Sequence, residues 1–295
     1  CDAIDNDCDG QVDEGLSEPC FALIQTIEAP SDISSLRQLT LISDLNGDGV
    51  KDVVALGRRQ RGRRLLALTS AGDVSWQVSG SGGFAQAITS GTYFGDSPLI
   101  AVSDPDNSQI KLYDSAGDLE RSITVDEGDV EGLTTLSAQV AGAARTLLVM
   151  GIPSYQRRSS TSGMIKAAYW SSAAQRSPAY AYETQGEFNQ RWCRNLYRID
   201  DVDADGSDDL IFTRRFNLDT RTQLMSGATG DALSGTLLNG INDDTDNSFA
   251  TSLAAGRLYS GSFSYIFGAP LVSRDFEENG AIYSLSDDGS GFSLD

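Results

Sequence analysis

Three short segments of the chain repeat one spacing of acidic residues, D-x-[DN]-x-D-G-x-x-D. Calcium takes about six to eight oxygen ligands, and a tight loop can aim the side chains at positions 1, 3, 5 and 9 toward one centre. The glycine at position 6 permits the sharp turn, and position 7 offers a backbone carbonyl. The predicted ligands are Asp5, Asp7, Asp9, Gln11 and Asp13 in the first copy, Asp44, Asn46, Asp48, Val50 and Asp52 in the second, and Asp201, Asp203, Asp205, Ser207 and Asp209 in the third.

The alternative interpretation of these segments is a set of ordinary turns, because Asp and Gly favour turns in any protein. Three full matches in the same register favour Ca²⁺ as the cofactor, since so many carboxylates in nine residues repel one another without a cation. Asp52 leads into VVAL and Asp209 into LIFT, which are typical of buried strands. Asp13 leads into EGLSEPC, which is not strand-like, so the first copy is assigned to a separate N-terminal unit.

The four cysteines are Cys1, Cys8, Cys20 and Cys193. An even number of cysteines beside calcium-type ligands predicts disulfide bonds and an oxidising compartment. Three pairings are possible, and we favour Cys1–Cys8 with Cys20–Cys193. The competing hypothesis for Cys1 is an N-terminal lipid anchor.

The composition narrows the class of function. The chain has 295 residues, a net charge of −20 and no histidine. Such a charge disfavours binding to nucleic acid or to an anionic membrane surface, and the lack of histidine removes the usual general base. No apolar run approaches the roughly 20 residues of a membrane span. We therefore expect a binding protein rather than an enzyme.

Short apolar stretches recur in groups of four along the chain. Positions that follow the acidic loops and their equivalents align at Gly57, Ser103, Gly151, Thr213 and Gly268. Each has a β-like stretch before it and another after it, followed by turns such as SAGD at 70–73 and GATGD at 227–231. Four short strands repeated about every 40–60 residues predict an all-β fold, a β-propeller of four-stranded antiparallel blades with five repeats visible. An array of β-sandwiches is the alternative.

Residues 33–295 resemble FG-GAP repeats, the family of the integrin α-chain propeller. The resemblance rests on DLNGDGVKDVVALG, DVDADGSDDLIFT and the literal FGAP at 267–270. Three repeats lack the acidic loop and carry SGTYFGDSP, VAGAART and AGRLYSGS instead, so no metal is expected there. Integrin propellers have seven blades, which leaves the blade number open.

The N-terminal CDAIDNDCDGQVDEG resembles a short Cys/Asp-rich metal-binding motif of secreted proteins from myxobacteria and other environmental bacteria. We therefore divide the chain into a calcium-binding N-terminal knob, residues 1–20, and an FG-GAP-type propeller, residues 21–295. Within the propeller, residues 21–32 are predicted to supply a closing strand to the last blade. The C-terminal GFSLD competes for that place.

Arginines concentrate in the connection that follows the second strand of a repeat. Because strands alternate in direction, this connection emerges on the face opposite the calcium loops. The arginines either offset acidic loops or form a ligand-binding face for a protein or an acidic glycan. The candidate ligand-binding residues are Arg58, Arg59, Arg61, Arg63 and Arg64 in repeat 1, Arg157 and Arg158 in repeat 3, and Arg214 and Arg215 in repeat 4, with Arg221 and Arg274 in equivalent connections.

These observations predict a secreted or surface calcium-binding propeller that acts in adhesion or in binding a protein or glycan. The expected location is extracellular, on the bacterial cell surface, or in the periplasm. The alternatives are a carbohydrate-active enzyme, a polysaccharide lyase or hydrolase on a propeller scaffold, and a purely structural spacer. The sequence leaves the ligand and the oligomeric state open.

Overall fold

A computed structural model describes residues 30–60, 62–157, 160–186, 190–216, 219–239, 252–259, 262–269, 273–274, 277–278, 281–287 and 292–294. The predicted N-terminal knob with its acidic loop, the proposed closing strand over 21–29, Cys1, Cys8, Cys20, Arg61 and Arg158 lie outside these residues.

The structure confirms the predicted all-β propeller, and the described residues form five four-stranded antiparallel sheets. The strands of sheets 1 and 2 are β1 (Ser35–Ile42), β2 (Asp52–Arg58), β3 (Arg63–Leu68), β4 (Val74–Gly80), β5 (Ile88–Gly91), β6 (Leu99–Asp104), β7 (Gln109–Tyr113) and β8 (Leu119–Thr124). Those of sheet 3 are β9 (Gly132–Val140), β10 (Ala143–Ile152), β13 (Met164–Tyr169) and β14 (Ala179–Gln185). Those of sheet 4 are β15 (Gln190–Ile199), β16 (Asp209–Phe216), β17 (Asp219–Met225) and β18 (Ala232–Asn239).

Sheet 5 contains β19 (Ser252–Tyr259), β20 (Ser262–Ala269), β23 (Ala281–Asp287) and β24 (Phe292–Leu294). The C-terminal strand β24 pairs with β23, so the GFSLD segment holds the fourth place in the last sheet. Two short hairpins extend the connections after the second strands of sheets 3 and 5. They are β11 (Gln156–Arg157) with β12 (Ser160–Thr161), and β21 (Ser273–Arg274) with β22 (Glu277–Glu278).

Each residue used to align the repeats lies in the second strand of its sheet, as the repeat predicts. The first strands β1, β5, β9, β15 and β19 are neighbours in that order, which a propeller requires and a sandwich array does not. A short 3-10 turn, Pro105–Asn107, interrupts the strands, and no helix of the described residues is long and apolar enough to cross a membrane.

Adjacent sheets pack face to face, and this explains the burial pattern along the strands. All six residues of β6 are buried, whereas the outer strand β4 alternates between exposed and half-buried positions. Sheets 1 and 2 share a core around Leu56 and Ile100, sheets 2 and 3 one around Ile110 and Met150, and sheets 3 and 4 one around Val149.

The thiol of Cys193 lies in the core between sheets 3 and 4. Cys193 is 0% exposed, carries a free thiol and has a positive φ of 72° in an irregular part of β15. Cys20, the favoured disulfide partner of Cys193, lies outside the described residues, so this pairing stays a prediction. Burial raises the pKa of the Cys193 thiol well above its usual value.

The close approach of β10 to Cys193 requires a glycine at position 151. A Cβ at Gly151 would lie 2.2 Å from the carbonyl oxygen of Cys193, whereas a Cβ at Gly82 would meet no atom within 4 Å. We expect Gly151→Ala to lower the free energy of unfolding by about 1–3 kcal/mol, because the backbone of β15 must move. Gly82→Ala, the control, should unfold like the parent in a denaturant titration. Equal midpoints for both variants would contradict this packing.

Candidate metal centres

The loop 201–209 joins β15 to β16 and gathers three carboxylates. One ligand oxygen from each of Asp201, Asp203 and Asp209 lies within 4.8 Å of the other two. Asp201 and Asp203 are exposed, and Asp209 is buried. This spacing suits several oxygens around one divalent cation.

The backbone of this loop is wound around its own carboxylates. The Oδ2 of Asp201 accepts a hydrogen bond from the Gly206 amide at 2.8 Å, and the Oδ1 of Asp205 accepts one from Ser207 at 2.8 Å. Gly206 has a φ of +86°, a conformation that favours glycine. The glycine at position 6 therefore makes the turn that the sequence predicts.

The loop 44–52 between β1 and β2 has the same internal hydrogen bonds. The Oδ2 of Asp44 accepts from the Gly49 amide at 2.7 Å, and the Oδ1 of Asp48 accepts from Val50 at 2.8 Å. Asn46 occupies position 3, and its amide nitrogen donates to Asp48 at 2.9 Å. At the four side-chain ligand positions this loop therefore has one carboxylate fewer than the loop 201–209.

The aspartate at position 9 fixes each loop to the sheet. Asp52 and Asp209 are both 0% exposed and begin the second strand of sheets 1 and 4. Asp52 accepts hydrogen bonds from the amides of Leu45 at 2.6 Å and Ser70 at 2.7 Å. We call this arrangement, in which one buried carboxylate holds the loop and the turn after the third strand, the loop clamp.

The same loop clamp recurs in sheet 4. Asp209 accepts hydrogen bonds from the amides of Val202 at 2.7 Å and Gly227 at 3.0 Å. The sequence predicts Asp52 and Asp209 only as metal ligands, and their role in the loop clamp was not predicted. A carboxylate oxygen can serve both roles because it has more than one lone pair.

A serine hydroxyl from the turn after the third strand also reaches each loop. Ser70 donates to the Oδ2 of Asp48, and Ser226 donates to the Oδ2 of Asp205 at 3.2 Å. These serines were not among the predicted site residues. The recurring Asp/Gly-rich turns at 70–73 and 227–231 were the available signal, but a turn sequence does not show which loop it contacts.

The electrostatics of the loop 201–209 favour a cation. Burial, and to a smaller extent the charge of Asp203, raise the pKa of Asp209. The backbone hydrogen bonds oppose this effect, and the resulting pKa is about 6. Burial and the charges of Asp205 and Asp201 also raise the pKa of Asp203. In the loop 44–52, by contrast, the hydrogen bond from Ser70 lowers the pKa of Asp48.

The loop 201–209 also contacts the neighbouring sheet. The Asp208 amide donates to the carbonyl of Ser137 at 2.8 Å, and the Ser137 amide donates back to the Asp208 carboxylate at 2.7 Å. The Ser207 hydroxyl accepts from the Gln139 amide at 3.1 Å. This candidate metal loop therefore joins sheet 4 to β9 of sheet 3.

Different structures occupy the equivalent connection in sheets 2 and 3. In sheet 2, Tyr93 and Phe94 pack against Trp170, with ring centroids 6.1 and 5.4 Å from the indole. In sheet 3 the strands are joined by Ala141 and Gly142, both at positive φ. Aromatic packing and a tight turn thus replace the carboxylates.

The arginines predicted to bind a ligand lie at the end of the sheets opposite the metal loops. Arg59 and Arg64 each form an ion pair with Asp32 at 2.9 Å, and Arg63 donates to the carbonyl of Ala85 at 3.2 Å. Arg58 is exposed at the end of β2.

The arginines of the other repeats are more dispersed on this face. Arg157 falls in the β11–β12 hairpin, and Arg214 and Arg215 lie near the end of β16. Acidic residues share the face, and Glu127 is paired with Lys166. Asp32 therefore neutralises Arg59 and Arg64, whereas Arg58 is exposed.

No protein-family model matches the chain, and no curated protein matches it. A solved structure that resembles it is the crystal structure of the V. cholerae biofilm matrix protein Bap1, with 12% sequence identity and a TM-score of 0.40. The match covers 87% of this chain and 58% of that chain, so this chain spans less than two-thirds of that structure.

The loop clamp predicts different effects for two carboxylates of one loop. Asp52→Ala leaves the amides of the half-buried Leu45 and Ser70 without their acceptor and should lower the free energy of unfolding by about 2 kcal/mol in calcium-free buffer. Asp48→Ala should cost less there, because Asp48 is exposed and water can replace its contacts. Urea titrations in chelator measure both. Equal losses would show that Asp52 has no clamping role.

Proposed function

We propose that this chain is a calcium-binding β-propeller of the FG-GAP type that acts outside the cytoplasm by binding a protein or an acidic glycan. The observation that carries the proposal is the recurrence of one loop geometry, with the same clamp and the same hydrogen bonds, at the same place in sheets 1 and 4. The two loops share carboxylates at positions 1, 5 and 9 and differ at position 3, where Asn46 replaces an aspartate by another oxygen donor.

Calcium fits this donor set better than other common metals. The candidate ligands are carboxylate, carboxamide and backbone oxygens, which hard cations prefer, and the chain has no histidine for zinc, copper or nickel. Magnesium demands a stricter octahedral geometry and keeps several waters, whereas calcium accepts irregular loops. In this proposal Asp201, Asp203, Asp205 and Asp209, with the Ser207 carbonyl, hold one ion. Asp44, Asn46, Asp48 and Asp52, with the Val50 carbonyl, hold another.

Bound calcium would stiffen the propeller rather than take part in a reaction. Each loop is tied to its own sheet by the loop clamp, and the loop 201–209 is tied to β9 as well. An ion that fixes this loop therefore also fixes the contact between sheets 3 and 4. Such stiffening suits a surface module that must keep a binding face in shape.

One buried lysine, Lys166, is paired with two partly exposed glutamates. Lys166 contacts Glu127 and lies 3.0 Å from Glu183. Burial alone would lower the pKa of Lys166, but the hydrogen bonds to the two glutamates raise it above its usual value. A lysine held in its charged form cannot serve as a general base at neutral pH.

Calcium should raise the thermal stability of the chain. At ten times the dissociation constant, which for extracellular calcium modules is on the order of 10⁻⁴–10⁻³ M, one site adds about 1.4 kcal/mol. The melting midpoint should therefore rise between chelator and millimolar calcium. Asp48→Ala and Asp205→Ala should each remove part of this rise, and the double variant more than either alone. A melting midpoint that is the same in chelator and in millimolar calcium would refute the proposed function.

The contact between the loop 201–209 and β9 predicts a local effect of calcium. Hydrogen exchange at the Ser137 and Gln139 amides should slow when calcium is added, because their acceptors lie in that loop. Amides of β6, in a sheet without an acidic loop, provide the control. Uniform slowing across both strands, or no slowing at β9, would argue against this coupling.

A further inference from the structure

The arginines at the end of the β2–β3 hairpin divide into two groups. Arg58 and Arg63 occupy directly opposite positions on β2 and β3. Directly opposed residues of antiparallel strands project from the same face of a sheet. Leu56 and Leu65 precede them on that face and pack in the core shared with sheet 2, so this face of the hairpin is turned toward sheet 2.

Arg59 and Arg64 are neutralised by a carboxylate, whereas Arg58 and Arg63 have no ion pair among the described residues. Asp32 accepts both Arg59 and Arg64, each at 2.9 Å. Arg58 has no ion pair among the described residues, and the recorded contact of Arg63 is its hydrogen bond to the Ala85 carbonyl. Like charges that face each other across two strands are destabilising. This pair therefore persists at a cost unless an anion lies between the two side chains.

Arg37 brings a third cation to the same place. The β1–β2 register shifts between Leu36 and Gln38, so Arg37 has no partner residue on β2. Such bulges commonly re-aim a side chain. Leu36, the residue before Arg37, lies opposite Gly57, so Arg37 is at the same end of sheet 1 as Arg58 and Arg63. Burial lowers the pKa of Arg63, and the charges of Arg37 and Arg58 lower it further.

One carboxylate lies near this group of arginines, but other donors already use it. Asp106 raises the pKa of Arg63. Its Oδ2 accepts hydrogen bonds from the Ser81 hydroxyl and the Gly83 amide, both at 2.8 Å. Three cations near one occupied carboxylate leave an excess of positive charge on a protein whose net charge is −20.

We propose that Arg37, Arg58 and Arg63, here called the arginine triad, bind a sulfate or carboxylate group of an acidic polysaccharide. The proposal rests on the proposed function, in which this face of the propeller binds a partner, and it assigns the site and the class of ligand. Planar guanidinium groups suit both anions, because they donate two parallel hydrogen bonds to one group.

Groups that can hydrogen-bond sugar hydroxyls lie near the triad. A cavity of about 570 Å³ on the other side of the same hairpin is lined by Ser31, Asp32, Ser34, Arg59 and Gln60. Their hydroxyl, carboxylate, guanidinium and carboxamide groups suit a polymer that extends past the triad.

The test compares two variants with equal changes in charge. Arg37→Ser with Arg58→Ser removes two exposed members of the triad and leaves the Arg63 contact to Ala85. The control, Arg145→Ser with Arg176→Ser, removes one half-buried and one exposed arginine near the metal-loop end of the sheets. Binding to immobilised heparin, alginate and polyglutamate is measured by surface plasmon resonance at low and high salt, in constant calcium.

We expect the parent to bind heparin or alginate with an affinity that falls steeply as salt rises, because screening shortens the range of electrostatic attraction. The triad variant should bind roughly tenfold or more weakly, since it lacks two charge-assisted contacts. The control should remain within about threefold, the range expected of a non-specific charge change. Preference for heparin indicates a sulfate ligand, and preference for alginate a carboxylate ligand.

Three results would overturn the proposal: no polysaccharide binding by the parent, equal loss in both variants, or binding to polyglutamate alone, which would indicate an acidic protein partner. The melting midpoint with and without calcium is measured for every variant. If the triad variant binds the polysaccharide as tightly as the parent and calcium still raises the melting midpoint, the arginine triad is refuted and the proposed function is not. A missing calcium response refutes the proposed function.

Discussion

A buried carboxylate at the first position of the second strand holds each acidic loop in place. In sheets 1 and 4 this residue, Asp52 or Asp209, accepts one amide from the loop and one from the turn after the third strand. A buried charge is costly unless it is hydrogen-bonded, and here two backbone donors supply that compensation. The loop, the strand and the turn therefore form one unit, on which the positions of the exposed carboxylates depend.

The strand β2 connects the acidic loop 44–52 to the arginine triad. β2 begins with Asp52 and ends with Arg58, so the strand spans about 20 Å at roughly 3.3 Å per residue. This separation exceeds the Debye length of about 8 Å at physiological salt, so a bound cation and a bound anion interact weakly through solvent. Calcium would act on the arginine-bearing face through stiffness of the sheets rather than through direct charge attraction.

Much of this architecture follows from local sequence, and some of it does not. The strand repeats were predictable because buried strands are apolar and the turns between them carry Asp and Gly. The glycine turn of each acidic loop was predictable for the same reason. The contacts of the Ser70 and Ser226 hydroxyls and the pairing of Asp32 with Arg59 and Arg64 were not, because each depends on contacts between segments distant in sequence. The place of Cys193 in the core between sheets 3 and 4 was likewise not predicted from the sequence.

The central claim is that the two clamped loops are calcium sites. Diffraction from crystals grown in calcium, collected at a wavelength where calcium scatters anomalously, tests it most directly. The account predicts one anomalous peak inside the loop 44–52 and one inside the loop 201–209, each surrounded by the carboxylate oxygens named above. Loops that keep their internal hydrogen bonds in millimolar calcium and show no peak would contradict it.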